Sequence, residues 1–525
     1  MATTKKSALQ SALVLTASSI GLQLLAFAYR VFISRVTGPE GIGVLQLVMP
    51  VYGILISLTY GGFTTAITQL ASERGALGDH GGMRLVVRLS LIGFAILFVV
   101  VAIPTALFSG WISESVLGDA ETRLALLILL PCLLLTGLEN IFKSWFYGVK
   151  HVKPPAISDQ LEQIVRIAAV VGLLLWLRPT DPAMAAAVIV AGMTVSELFS
   201  STLLAVWYRK ARPSDGKAAH PGGLFKKLMA IALPVSASAL AGNLLSAANT
   251  VLVPKRLMAS GMPQQQAVGM LGVALGMALP LFFLPMAFMG PLVMVMLPRL
   301  SESVAVGDMA DAHRKMGKAL YATGLIALPA VAVLAPIGPA VMQLLYQQTV
   351  PLDYILLTAV AMTLTYYQMI TAGMLNGTGF QSRAMVSTIV GDILQLGITW
   401  FTVSNPQIGI YGFFWGMIAG AALSVVMNIR CLNTKIEFRV KWAQWVVLPG
   451  LAAIACALAC YNVNSLMKGL GWADMPAMLW AVAAAAVVFL LSLKIQGVRI
   501  GSYVKSLLPG ARAKAKAAGI MPFFF

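Results

Sequence analysis

An acidic and a basic side chain one helical turn apart offer the clearest chemistry in this sequence. Glu162 and Arg166 lie in the apolar stretch 156–177 and are spaced i,i+4, which favours an ion pair on one helix face. A paired guanidinium keeps N–H groups that can bind a phosphate. The pair is therefore either a neutralised contact between helices or a cation site for a pyrophosphate. Arg30, near the end of the stretch 8–33, is a second candidate for that site, or it snorkels towards lipid headgroups.

Two carboxylates inside other apolar stretches are candidates for binding a coupling ion, H+ or Na+. Glu197 lies in the middle of the stretch 183–207 and has no basic residue within four positions. Asp392 lies about nine residues into the stretch 384–403. The alternative for both is a protonated acid that is hydrogen-bonded to a neighbouring helix.

Amides and prolines in two further apolar stretches complete the set of candidate residues. Asn243 and Asn249 are six residues apart and either line a cavity or join helices by hydrogen bonds. Pro280, Pro285 and Pro291 interrupt the next apolar stretch, and each frees a backbone carbonyl. Broken helices of this kind form hinges or binding sites, so we predict a hinge here, with a static irregular helix as the alternative.

The composition indicates that these residues lie in membrane-spanning helices. The chain of 525 residues is 59% hydrophobic and only 11% charged, whereas soluble domains carry about 25% charged residues. A soluble enzyme is excluded, and no segment is polar enough to form a nucleic-acid-binding domain. Apolar stretches of about 20 residues match a bilayer core. We predict 14 of them, at 8–33, 43–72, 85–110, 122–146, 156–177, 183–207, 228–253, 267–297, 316–343, 354–375, 384–403, 409–430, 443–462 and 475–495.

The distribution of basic residues supports this count. With the N-terminus in the cytoplasm, alternating loops place 29 of the 37 Lys and Arg residues on the cytoplasmic side and 6 outside. The remaining two are Arg30 and Arg166, inside spans. This asymmetry follows the positive-inside rule and predicts that both termini are cytoplasmic. The formal net charge of +18 therefore reflects topology and contact with anionic phospholipids.

An internal repeat predicts two lobes of six helices each. Shifting the sequence by 229 places AISDQLEQIVRI (156–167) over MVSTIVGDILQL (385–396), and similar matches occur elsewhere in the same order. An even number of helices per lobe makes the repeat parallel, related by a pseudo-twofold axis along the membrane normal. We predict an all-α polytopic membrane protein with lobes at 1–215 and 216–440. Two extra helices and a basic cytoplasmic tail follow at 441–525.

Metal and cofactor chemistry is not indicated. The four histidines fall in separate polar connections and form no cluster. Cys456 and Cys460 are four residues apart but have no histidine or acidic partner nearby, which favours small core residues over a metal site. We therefore predict no cofactor and no metal.

Two sequence blocks resemble a known family. The first loop reads RVTGPEGIGVLQLVMPVYGILISL (35–58), and a later block contains FYGVKH (146–151) and SDQLEQIVRI (158–167). Together they resemble the stage V sporulation protein B branch of the polysaccharide exporters, in the multidrug/oligosaccharidyl-lipid/polysaccharide flippase superfamily. The resemblance covers essentially the whole chain. It implies translocation of an undecaprenyl-pyrophosphate-linked sugar, with lipid II as the leading candidate, across a bacterial cytoplasmic membrane.

We therefore predict a flippase that works by alternating access and makes or breaks no bond. Its pyrophosphate group is expected near Arg166 and Arg30. The expected partners are the lipid-linked saccharide, anionic phospholipids, a coupling H+ or Na+ and a cell-wall synthase, and no nucleic acid. Two alternatives remain open: a cation-coupled multidrug exporter of the same superfamily, and a membrane-embedded glycosyltransferase or polymerase that acts on the same lipid.

Overall fold

Long helices make up the structure, a computed structural model that describes residues 2–212, 223–284, 296 and 300–496, with side chains from Leu25 onward. These described residues contain no strand. The longer helices, in chain order, are α1 (Ala2–Thr59), α2 (Gly61–Ala76), α3 (His80–Leu107), α4 (Thr122–Gly148), α5 (Lys153–Leu177), α6 (Pro182–Ala211), α7 (Leu224–Ala259), α8 (Gln264–Phe282), α9 (Met309–Tyr346), α10 (Leu352–Gly377), α11 (Gln381–Thr402), α12 (Tyr411–Ile436), α13 (Ala443–Gly469) and α14 (Asp474–Ile495). The predicted all-α fold class is confirmed.

Thirteen described helices are long and apolar enough to cross a membrane, by length and composition. The difference from the predicted fourteen arises in α1, a single range that contains two helices joined at a kink between the first two predicted spans. Gly38 kinks this helix with a φ of 69°, a conformation that glycine adopts without strain. The later predicted spans each coincide with one helix, α3 to α14, within the described residues. The orientation of the termini stays a prediction.

The residues Leu24–Gly276 and Trp400–Ile410 form one compact unit, here called the N-terminal unit. Within it, α4 and α5 pack on α6, and α2 packs on α7. Gly62 allows α2 to lie close to α7, because a Cβ there would lie 1.9 Å from the Ala232 carbonyl oxygen. The Gly62 N–H donates to Ser236 Oγ at 3.0 Å. The predicted boundary at 215/216 rests on the sequence repeat and stays a prediction.

The C-terminal unit contains Met277–Thr399 and the helices α12 to α14. The pair α13 and α14, predicted as an addition to the two lobes, pack on each other, and α13 packs on α9. Cys456 and Cys460 are fully buried in this contact. Their thiols donate to the carbonyl oxygens of Ala485 (3.5 Å) and Val333 (3.6 Å). Both cysteines are thus small core residues, as predicted.

Candidate functional site

A network of largely buried ionic side chains joins α4, α5 and α6. On α4 and α5 the contributing groups are spaced three or four residues apart, which places them on one face of each helix. These three helices are also the most extensively packed part of the N-terminal unit. The members of this network, which we call the ionic network, are Glu139 and Lys143 on α4, Asp159, Glu162 and Arg166 on α5, and Ser196 and Glu197 on α6.

Lys143 lies at the end of the ionic network where three carboxylates converge. Its Nζ lies 2.6 Å from Glu139 Oε1, 2.5 Å from Asp159 Oδ1 and 3.5 Å from Glu162 Oε2. The carboxylate oxygens of these three acids lie within 4.8 Å of one another, close enough to hold a metal ion. The Lys143 ammonium supplies the cation for this cluster.

Arg166 lies at the other end and bridges two helices. Its guanidinium pairs with Glu162 one turn earlier on α5, so the ion pair predicted from the i,i+4 spacing is confirmed. Arg166 Nη2 also donates to Glu197 Oε1 on α6 at 3.1 Å, and Nε donates to Ser196 Oγ at 3.3 Å. Glu197 has no basic residue within four positions in the sequence because its cation comes from the neighbouring helix.

The ionic network carries more negative than positive charge. Its four carboxylates face two cations, a formal charge of −2. The side chains of Glu139 and Glu197 are 1% and 6% exposed, and the two carboxyls are direct neighbours. Glu197 Oε2 is buried and has no hydrogen-bond partner among the described residues. A buried carboxylate oxygen without a partner is costly, so this pair is suited to holding a proton.

Small residues bring α5 and α6 close enough for these contacts. Gly192 on α6 faces Val170 on α5, and a Cβ at Gly192 would lie 2.4 Å from Val170 Cγ2. Pro154 and Pro155 lie in the first turn of α5, where the missing N–H groups cost no helical hydrogen bond. The close approach excludes lipid from the contact, and ionic side chains are stable in a bilayer only where such protein contacts surround them.

Arg30 is exposed and lies outside the ionic network, with no hydrogen bond or ion pair in the part of the chain that the structure describes. Arg30 and Arg166 both lie within electrostatic range of the Tyr29 hydroxyl. The side chain of Arg166 is 24% exposed. The two arginines therefore present cationic surface near one phenol, and their role towards a phosphate stays a prediction.

The two asparagines have different environments. Asn243 Nδ2 donates to the Gly53 carbonyl oxygen at 2.9 Å and lies 2.7 Å from Ser57 Oγ, which joins α7 to α1. Asn249 Nδ2 donates only within its own helix, to the Leu245 carbonyl oxygen at 3.2 Å. Its Oδ1 is buried without a partner among the described residues. For Asn243, the contacts with α1 agree with the predicted alternative in which the amide joins two helices by hydrogen bonds.

Asp392 lies in the C-terminal unit and is half-buried on α11. Its side chain has no hydrogen bond or ion pair with any described residue. Pro280 is buried near the end of α8, directly after a π-helical segment, Gly272–Ala278. Such segments mark irregular, often functional, points of a helix. Pro285 and Pro291 lie outside the described residues, so the hinge stays a prediction.

Sequence reasoning missed how many groups take part in the ionic network. Glu139, Lys143 and Asp159 are not among the candidate residues predicted from the sequence, and the structure connects all three to Glu162. The i,i+4 spacing of Glu139 and Lys143 was a usable signal. The register between helices, which brings this pair to α5, has no signature in one sequence.

Comparisons with known proteins agree with this architecture. The profile of a family described as "Polysaccharide biosynthesis protein" matches residues 8–304, more than half of the chain. Stage V sporulation protein B of Bacillus subtilis (strain 168) is 23% identical over 500 residues, which covers 94% of this chain and 96% of the relative. Lipid II flippase MurJ of the same organism is 22% identical over 548 residues, which covers 97% of this chain and 99% of the relative.

Solved structures show the same fold. The inward closed conformation of lipid II flippase MurJ matches with a TM-score of 0.66 and 13% identity, over 91% of this chain and 98% of that one. An inward-facing multidrug resistance MATE family transporter matches with a TM-score of 0.63 and 17% identity, over 80% of this chain and 94% of that one.

The function class follows from these relatives and from the 13 apolar helices. The flippase and the multidrug transporter are transport proteins, and this chain is a multi-pass bacterial membrane transporter, not an enzyme. The alternative of a glycosyltransferase or polymerase is therefore wrong. The chain belongs to the polysaccharide biosynthesis protein family, within the multidrug/oligosaccharidyl-lipid/polysaccharide flippase superfamily.

Proposed function

We propose that this protein moves a diphosphate-linked lipid saccharide, of which lipid II is the best candidate, across the cytoplasmic membrane by alternating access. The relative named lipid II flippase covers nearly the whole chain and supports this substrate class. The observation that carries the proposal is the ionic network of α4, α5 and α6, in which Arg166 is held between Glu162 and Glu197.

Arg166 releases one of its two carboxylate partners and binds the substrate's diphosphate instead. Its partly exposed guanidinium has five N–H donors, and a phosphate accepts two of them in parallel. The ion pair that breaks is the one with Glu197, because Glu197 lies on another helix, whereas Glu162 shares a helix with Arg166. Arg30 adds a second positive charge near the same position.

The released Glu197 then takes up a proton. An ionised carboxylate without a partner in a buried site costs several kcal/mol, and the neighbouring Glu139 carboxyl raises that cost by like-charge repulsion. A proton between the two carboxyls removes one of the two excess negative charges. Substrate binding and protonation are thereby linked, and the two predicted lobes rock between states that face opposite leaflets.

Flipping by the reconstituted full-length protein tests this proposal. Proteoliposomes would contain a fluorescent undecaprenyl-diphosphate disaccharide, and a membrane-impermeant reagent would report how much of it reaches the other leaflet. We expect transbilayer movement with the wild type, reduced at least about ten-fold in Arg166→Gln. The matched control is Arg123→Gln, because Arg123 is exposed and outside the ionic network.

The double variant Arg166→Gln/Glu197→Gln separates function from folding. It removes one positive and one negative charge together, so the formal charge of the ionic network stays at −2. We expect it to fold and to remain inactive. A folded wild type that moves no lipid, or a double variant as fast as the wild type, would contradict the proposal.

A cation-coupled multidrug exporter is the second candidate. It is favoured by the likeness to multidrug resistance MATE transporters and by the formal charge of −2 in the ionic network. The same proteoliposomes, loaded with a fluorescent organic cation, distinguish the two functions. Drug efflux that stops in Glu197→Gln, together with no movement of the lipid-linked saccharide, would establish this candidate instead.

A further inference from the structure

A basic pocket opens in the C-terminal unit, between the start of α9 and the connection from α12 to α13. Its volume is about 510 Å³. It is separate from the ionic network, which belongs to the N-terminal unit. The pocket is lined by His313, Arg314, Gly317, Lys318, Tyr321, Glu437, Phe438, Arg439, Lys441 and Trp445.

The floor of this basic pocket is rigid and aromatic. A Cβ at Gly317 would lie 2.4 Å from the Trp445 ring, so the absence of a side chain lets the ring lie against the backbone of α9. Phe438 stacks on Trp445 with ring centroids 5.8 Å apart and planes 8° from parallel. His313 Nε2 donates to the Ile436 carbonyl oxygen at 2.7 Å. The connection between α12 and α13 is thereby fixed to α9.

The walls carry an excess of positive charge. Four cations face the basic pocket against one acid, Glu437, which gives a formal charge of +3 with His313 neutral. Arg314 pairs with Asp311. Lys318, Arg439 and Lys441 have no hydrogen bond or ion pair with any side chain that the structure describes. Cations without partners at the walls of a concave site are suited to a phosphate.

The basic pocket lies where the protein surface changes from polar to apolar. Trp442, beside Lys441, is 53% exposed, and aromatic residues of this kind mark the level of lipid headgroups. Further along α13, Leu451, Ile454 and Leu458 are each more than half exposed and share one helix face. A bilayer covers such a face, so acyl chains begin within a few residues of the charged walls. This position favours a lipid over a soluble phosphate.

We propose that this basic pocket binds the phosphate of an anionic phospholipid headgroup, with the acyl chains along the exposed face of α13. Lys318 on one wall and Arg439 and Lys441 on the other contact the phosphate, and Trp445 supplies the floor. The positive-inside distribution assigns both walls to the cytoplasmic side, where the leaflet is rich in anionic lipid. The site is independent of the substrate that the protein carries.

Native mass spectrometry of the full-length protein in detergent tests the site. The probes are phosphatidylglycerol, phosphatidylcholine and soluble glycerol phosphate. We expect tight retention of phosphatidylglycerol and weakening by roughly 30-fold in Arg439→Gln/Lys441→Gln. Both substituted residues are exposed, so the variant is expected to fold. Lys318→Gln, from the opposite wall, is expected to weaken retention about five-fold.

The matched control is Arg430→Gln/Lys435→Gln. It removes two exposed cations from α12, on the same predicted side of the membrane but outside the basic pocket. Unchanged retention in this control, with loss in the pocket variants, supports a specific site. Equal loss in both double variants would show diffuse attraction and overturn the proposal. Retention of glycerol phosphate as tight as that of phosphatidylglycerol would overturn the assignment to a lipid.

Discussion

The helices α5 and α11 occupy equivalent positions in the sequence repeat, but different forces hold each to the helix that follows it. The shift of 229 residues places Glu162 over Gly391 and Arg166 over Gln395. On α5 these positions form an ionic contact with α6. On α11 the ion pair is replaced by a glycine and an uncharged amide.

Close backbone contact joins α11 to α12. A Cβ at Gly391 would lie 2.1 Å from Ser424 Oγ and 2.6 Å from the Gly420 carbonyl oxygen. Ser424 Oγ donates to the Ser387 carbonyl oxygen at 2.9 Å. Packing of small residues is the ordinary way to join helices in a bilayer, where apolar surface provides no driving force. The ionic contact at α5 is the exception, and such exceptions mark function.

Removing the Arg166 cation from the ionic network should produce the largest effect on stability. Arg166→Ala leaves Glu162 and Glu197, both at most 10% exposed, without their shared partner. We expect the free energy of unfolding to fall by about 3–5 kcal/mol, because buried carboxylates lose their counter-charge. Denaturant titration in detergent measures this change.

The control for this prediction is Gln395→Ala, at the matched position of the second repeat. It removes no charge, and we expect a loss of at most about 1 kcal/mol. Equal losses in the two variants would show that the two contacts do not differ in kind.

Adding a side chain to the close contact between α11 and α12 should have an intermediate effect. Gly391→Ala forces Ser424 and the Gly420 backbone of α12 away from α11. We expect this to lower the free energy of unfolding by about 1–3 kcal/mol. Gly397→Ala is the matched control on the same helix, because a Cβ there meets nothing within 4 Å. It is expected to stabilise the helix by up to about 1 kcal/mol. If both substitutions are neutral, close packing does not hold this pair of helices.

A neutral hydrogen bond in the C-terminal unit should contribute least. Asn428 is fully buried on α12, and its Nδ2 donates to Thr371 Oγ1 on α10 at 3.1 Å. We expect Asn428→Ala to lower the free energy of unfolding by about 0.6 kcal/mol, the average for such bonds in membranes. Asn462→Ala is the control, because Asn462 is exposed and donates only to its own helix. A loss for Asn428→Ala as large as that for Arg166→Ala would remove the distinction between ionic and neutral contacts.

Much of the architecture could be predicted from the sequence because a bilayer imposes simple rules. Apolar length located the helices, and the break predicted between the first two spans falls at Gly38, whose backbone conformation is not helical. Hydropathy locates the two spans, but it does not predict that a kink, and not a loop, connects them. The basic tail after Lys494 lies largely outside the described residues, so its part in the topology stays a prediction.

The candidate site was predicted only where its contacts are local. The spacing of Glu162 and Arg166 on one helix gave a correct ion pair. The pairing of Arg166 with Glu197 and the position of Lys143 depend on the rotation and register of neighbouring helices. These are determined by packing at residues such as Gly192, which a single sequence does not identify as contacts.

The pH dependence of flipping by Glu197→Gln is the most direct test of the central claim, that the ionic network links substrate binding to protonation. Flipping of the fluorescent diphosphate saccharide would be measured in proteoliposomes across a pH series. Glu114→Gln is the control, because Glu114 is an exposed acid outside the network. We expect the wild type and the control to slow as the pH rises, since deprotonation returns Glu197 to Arg166, whereas the rate of Glu197→Gln stays constant. A Glu197→Gln variant with the wild-type pH profile would contradict the account.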